Sequence, residues 1–205
     1  MKKTTVAKEK ANTPVETVPI YTKAISFETA LKITYYLMAV DSKIKKSEEE
    51  KFDEICNSTN PDFIEMKEEI VEYCKSQIKK AKDKKDYFNA IKKGIEKELV
   101  NTEPTQNSFI APYILVWNML TIAYSDGDYS ESERKIVEFV VKKTNIDKTL
   151  FLQMDSSYAA IVDIQKEIEW IKTTNKPYLV IEKQVKELEK RINDIFESVK
   201  YLMTL

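Results

Sequence analysis

Ala123-Tyr-Ser-Asp-Gly-Asp-Tyr-Ser-Glu-Ser-Glu133 follows an apolar run that begins near Val116 and precedes a segment of helical periodicity, so it reads as an acidic loop between two helices. A weaker copy stands 85 residues earlier, at Ala39-Val-Asp-Ser-Lys-Ile-Lys-Lys-Ser-Glu48. Placing Asp41 on Asp126 puts Ile44 on Tyr129, Glu48 on Glu133, and the apolar run Leu31 to Met38 on Val116 to Ala123. Self-similarity at long period marks one structural unit used twice. The interval leaves room for two further helices between the copies.

Working outward, Ser26 offers an N-cap to a helix ending near Val40. Ser47-Glu-Glu-Glu50 has the capping-box form and opens a second helix to about Asn57. Asn60 before Pro61 is a cap-plus-first-turn pair for a third, to about Lys82. Asp86 to Leu99 is a fourth, in which Gly94 costs roughly 1 kcal/mol relative to alanine. A loop follows over Asn101 to Ser108, with Pro104. Phe109 to Tyr124 reads as a buried central helix; at 16 residues, with Pro112 and Asn118 inside, it falls short of a bilayer span. A helix from Glu131 to Lys143 and a short one begun by Asp147 complete the body. No segment alternates with period two, so the predicted fold class is all-α.

The expected organisation is a tail over residues 1–24, a helical domain over 25–154 and a helical hairpin over 155–205. In the last part, Ile181, Val185, Leu188, Ile192, Ile195, Val199 and Leu202 recur at spacings of four and three, a heptad seam. Ile161, Ile164, Ile168 and Ile171 carry the same rhythm before the turn Thr173-Thr-Asn-Lys-Pro177. The two seams can pack on each other and the body, or the seven-residue one can serve a protein partner or self-association.

Composition excludes much of the usual neutral-pH chemistry. The 205 residues carry a net charge of −1 and no histidine, which removes His-based acid–base catalysis, Ser/His and Cys/His nucleophiles, and His zinc ligands. Near-zero net charge supplies no global attraction for nucleic acid or anionic lipid. Cys56 and Cys74 lack metal or redox spacing and read as core thiols; a disulfide between them is the other option. Met1-Lys-Lys-Thr-Thr-Val runs into Ala7-Lys-Glu-Lys rather than an apolar stretch, which argues against a secretory signal and for a cytoplasmic setting.

Two readings of the second loop compete. In one, Gly127 ends the central helix in a left-handed conformation, and Ser130 with Glu133 forms a capping box. Asp126 is then left at a helix C-terminus, where the macrodipole disfavours a carboxylate, and Asp41 repeats the misfit. The misfit calls for a compensating positive charge, a backbone N–H cluster or a bound cation. In the other reading, Asp126, Asp128, Ser130 and Glu133 hold a hard ion such as Ca²⁺ or Mg²⁺, with a weaker first site at Asp41 and Glu48. The loop is not an EF-hand, since Glu131 and Val137 occupy the positions that need glycine and glutamate.

On Asp126, Gly127, Tyr129 and Glu133, with Asp41, Ile44 and Glu48 in the first copy, the chain resembles the TerB-like family, named for bacterial tellurite resistance, over roughly residues 27–154. The resemblance implies a compact helical bundle with pseudo-twofold halves and acidic loops that bind metal. It also implies a non-catalytic role in stress response or phage defence, often beside a membrane-associated protein partner. Ser42 and Lys43 depart from the pattern, and the heptad hairpin lies outside it.

Between Lys75 and Lys97, nine lysines stand against three acids, with Tyr87 and Phe88 among them; this reads as a solvated face, with contact to an acidic partner or lipid headgroups as the alternative ahead of nucleic acid. The function expected is thus a non-catalytic interaction module, with or without a divalent cation. The alternatives are a structural oligomerisation protein working through its last helix and a metal-dependent hydrolase on the loop carboxylates.

Overall fold

The computed structural model describes residues 24–60, 63–79, 81, 83–100 and 109–204. Most of the tail expected over 1–24, Pro61 and the loop expected over 101–108 lie outside them. Eight helices order the described chain: α1 Phe27–Ala39, α2 Lys46–Thr59, α3 Phe63–Ile78, α4 Lys84–Val100, α5 Pro112–Ala123, α6 Glu131–Thr144, α7 Lys148–Lys172 and α8 Tyr178–Thr204. The chain is all-α apart from one small ladder. β1, Ile25–Ser26, pairs antiparallel with β2, Phe109–Ile110, and so fastens the entrances of α1 and α5 together. Phe109 and Ile110, expected in the central helix, therefore stand before it, and Pro112 takes the first helical turn, where a missing N–H is harmless.

Ser26 caps α1 by accepting from Thr29 N at 3.2 Å. Eleven of the thirteen α1 residues are buried, because it packs against α2 through α6; α1, with its repeat counterpart α5, is the centre of the body. Tyr36, at its middle, is fully buried against Gly94 of α4, where a β-carbon would lie 2.7 Å from the ring. The glycine that weakens α4 as a helix is what admits the tyrosine. Phe52 and Phe63 meet edge to face at 5.5 Å where α2 and α3 join. Cys56 and Cys74 are free and buried, each thiol pushed up to about 12 by burial.

The boundary expected at residue 154 falls inside a continuous helix. Asp147 does open α7, accepting from Thr149 N at 2.8 Å and Leu150 N at 3.0 Å, but the helix runs on to Lys172. Its first half, through Phe151, Met154, Tyr158 and Val162, belongs to the main core. Its second half, through Ile164, Ile168 and Ile171, packs with Leu188, Ile181, Val185, Ile192 and Ile195 of α8 in a second cluster. The heptad seam thus turns inward on α7, and Val199 and Met203 return α8 to the body.

Candidate functional site

The two acidic loops face each other, and they close with the same local geometry. Ser42 N donates to Ala39 O at 2.9 Å, and its counterpart Gly127 N to Tyr124 O at 3.0 Å. Ser42 and Gly127 both take left-handed backbone, at φ 62° and 80°, so the serine–glycine difference between the copies does not change the turn. Three residues on, Lys45 N donates to Glu48 Oε2 at 2.7 Å and Ser130 N to Glu133 Oε2 at 2.8 Å. Ser130 Oγ also accepts from Glu133 N at 3.2 Å, completing the expected capping box. In the first copy the cap position is Lys45, not Ser47, and Glu48 rather than Glu50 folds back on it.

Across the junction, Lys45 of the first loop donates to Asp126 of the second. The other Asp126 oxygen, Oδ1, accepts from Asp128 N at 2.9 Å. The compensating positive charge that Asp126 calls for is therefore supplied from 81 residues away. Burial pulls the Asp126 carboxyl up, but the Lys45 ammonium and the Asp128 N–H outweigh it and hold the group below its ordinary value. Asp41, its counterpart, is exposed.

Behind this ion pair, Glu48 and Glu133 are 3% and 2% exposed and their carboxyl groups interact directly. Burial, opposed by the Ser130 N–H and reinforced by the negative charges of Glu48 and Asp41, pushes Glu133 up to about 7. Burial also raises Glu48, against the Lys45 N–H and Glu133. Two carboxylates at such a contact do not ionise cheaply together, which favours one proton shared between them below neutral pH.

Tyr129 seals the second loop. Its ring lies 4.7 Å from that of Tyr124 and under the Arg134 guanidinium at 4.4 Å, and Asp155 of α7 accepts from Arg134 Nη1 at 2.8 Å and from Tyr124 OH at 3.1 Å. Lys45, Arg134 and Asp155 were not among the sequence candidates. Only the unmatched Asp126 hinted that a cation had to come from somewhere.

As for a divalent ion, Ser130 and Glu133 cap each other, Asp126 holds Lys45, and Asp128 is exposed. Among the described residues no three His, Cys, Asp or Glu side chains are grouped to hold a metal. The donor set at the junction does not fit a resident cation. Nor is the lysine stretch one clear surface: Lys75 pairs with Glu72, Lys97 donates to Tyr73 OH at 3.0 Å, and Lys92 lies over Phe139 at 4.6 Å.

One surface stands out elsewhere. Trp170, Tyr178, Leu179 and Val180 are 61%, 74%, 75% and 44% exposed around the α7–α8 turn. No helix among the described residues is long and apolar enough to cross a membrane. No protein-family model, curated protein or solved structure matches this chain.

Proposed function

We propose that this chain is a non-catalytic interaction module of TerB-like architecture, in which the doubled acidic loop is a structural lock and the α7–α8 hairpin is the working arm. What carries the reading is a contrast within one molecule. The polar groups of the two loops answer one another through Lys45 with Asp126 and Glu48 with Glu133, whereas Trp170, Tyr178, Leu179 and Val180 of the hairpin turn stand exposed. The doubled turn, with Glu48 and Glu133 each folding back on the cap residue's N–H, supports the TerB-like part of the reading. Because the heptad seam faces α7, a partner would meet the turn rather than Ile181 to Leu202.

The test is photo-crosslinking in living cells from a reactive residue placed at Leu179, with Glu187 on the charged outer face of α8 as the control position. Adducts to protein or lipid are expected from position 179 and not from 187. Equal yields from the two, or none from 179, would remove the hairpin from the function.

A further inference from the structure

We propose that the tip of the α7–α8 hairpin docks on an anionic lipid bilayer surface; the inference rests on the hairpin being the working arm and names what it meets. The first observation is where the apolar exposure lies. Residues 175–180 are all exposed, and Tyr178 and Leu179 are the two most exposed large hydrophobic residues among those described. Between residues 182 and 195 the exposed side chains of α8 are polar or charged, among them Lys186, Glu187, Glu189, Lys190, Arg191 and Asp194, and the exposed Phe196 and Tyr201 lie apart from the turn, toward the C-terminal end of the helix. The apolar patch is thus a tip, not a stripe, and a second helix has no seam to follow along it.

The second observation is charge. From Trp170 to Ile181 there are two lysines, Lys172 and Lys176, and no acid, in a chain whose acids outnumber its basic residues by one. Lys166 lies against Gly127 of the acidic loop, and Lys172 and Lys186 pair with Glu169 and Glu182, so the positive charge of the tip comes from Lys176 and Lys183. Lys176 lies over the Trp170 ring at 5.9 Å, an exposed cation beside an exposed indole. Tryptophan, tyrosine and lysine are the side chains that settle at the headgroup level, with aliphatic neighbours dipping below it. The local positive excess complements an anionic leaflet.

The third observation is size. The stretch from Trp170 to Ile181 is twelve residues, whereas a stable protein interface draws on roughly 20–30 residues a side. Such a tip is too small for a lasting dimer yet large enough for reversible interfacial insertion, in which a few apolar side chains act together with basic ones.

The experiment uses the full chain with vesicles of phosphatidylcholine alone and of phosphatidylcholine with one third phosphatidylglycerol, read by flotation and by tryptophan emission. Binding to the anionic vesicles, weakened by salt, with a blue shift of the exposed Trp170, is expected. Leu179→Asp should reduce binding by about tenfold or more at unchanged Tm, since it places a charge where an aliphatic side chain enters. Trp170→Phe should still bind but lose the blue shift, leaving the half-buried Trp117 unchanged. No flotation with either vesicle, equal binding to both, or full binding by Leu179→Asp would overturn the proposal. So would a concentration-dependent dimer lost in Leu179→Asp without vesicle binding, which would assign the tip to a second copy. Crosslinks from position 179 in cells together with silent vesicles would leave the hairpin as the working arm and remove only the bilayer.

Discussion

Replacing Glu133 with glutamine should stabilise this protein at neutral pH, although it removes a buried charged residue type from a capping box. Glu133 retains its proton to about 7 in the fold, against an ordinary value of 4.5. A carboxyl whose pKa is raised on folding binds more protons native than unfolded between those two values, so stability falls as pH rises through that window. At about 1.4 kcal/mol per pH unit the loss is roughly 3 kcal/mol between pH 4.5 and 7. The proton belongs to the Glu48–Glu133 pair, so either residue can act as its carrier. Glutamine is a permanent stand-in for the neutral member: its carbonyl can still accept from Ser130 N, and its amide can donate to Glu48. Urea unfolding followed by circular dichroism at pH 5, 6 and 7.5, at fixed ionic strength, measures the slope. The wild type should lose roughly 2 to 2.5 kcal/mol across the series and Glu133→Gln far less, with the two proteins within about 1 kcal/mol at pH 5 and the variant ahead at pH 7.5. Glu48→Gln should flatten the slope as well. A wild-type stability that is level or rising from pH 5 to 7.5, or a Glu133→Gln protein weaker than wild type at pH 7.5, would refute the shared proton.

The cross-loop ion pair has the opposite pH signature. Lys45→Met should cost roughly 1 kcal/mol at pH 7, since Asp126 is only partly shielded from water and Lys45 less so. Asp126 has a depressed folded pKa, so its contribution is present above its ordinary value of 3.8 and disappears as pH falls below it. Wild type and Lys45→Met should therefore converge in acid; a gap that persists at pH 3 would mean that the lysine acts through packing. Gly94→Ala should lower Tm by a few degrees in a thermal melt. The helix-propensity gain of about 1 kcal/mol is outweighed by overpacking worth ~1–3 kcal/mol against Tyr36, which is fully buried and cannot retreat. A Gly94→Ala protein that melts above wild type would show that the α1–α4 contact has slack.

Helix positions were legible because they depend on local patterning. Ser26, Ser130 and Asp147 each cap the helix that their side chains announce, and the doubled loop was readable from residue types alone. What local reasoning could not reach was pairing across the repeat. Asp126 stood out as a misfit, but Lys45 looked like one lysine among several, and only the folded approach of the two loops selects it. The same holds for Glu48 and Glu133: each reads as a cap residue, and only the fold buries them together and raises both carboxyl groups. The Asn60–Pro61 start expected for the third helix shows a limit of a different sort. Only Asn60 is among the described residues, and it closes α2. Residue 154, the expected boundary, lies inside α7, because a heptad seam and a core stripe can occupy successive turns of one helix. Periodicity records that a residue is apolar, not which neighbour it meets.

That distinction also bears on where this molecule can meet another. A seam of seven apolar positions outnumbering the four opposite it suggested that part of α8 looks outward. The fold resolves the imbalance differently: α7 takes up the first part of the seam, and Ile195, Val199 and Met203 pack on the body where α7 is already part of the core. Of the apolar side chains beyond the turn of α8, Phe196 meets Trp117 edge to face at 5.9 Å, and Tyr201 is exposed near the end of the helix. At the turn, by contrast, the helices end before their side chains can be covered, and Leu179 on the first turn of α8 has no residue of α7 beyond Lys172 to face it. Substitutions along the seam should therefore act on stability, and substitutions at the turn on association. Leu188→Ala, at a position 6% exposed in the α7–α8 cluster, should cost about 2–4 kcal/mol in urea unfolding, and Leu179→Ala less than about 0.5. Comparable losses at the two sites would mean that the turn is part of the core after all, and the hairpin would lose its claim to be a binding arm.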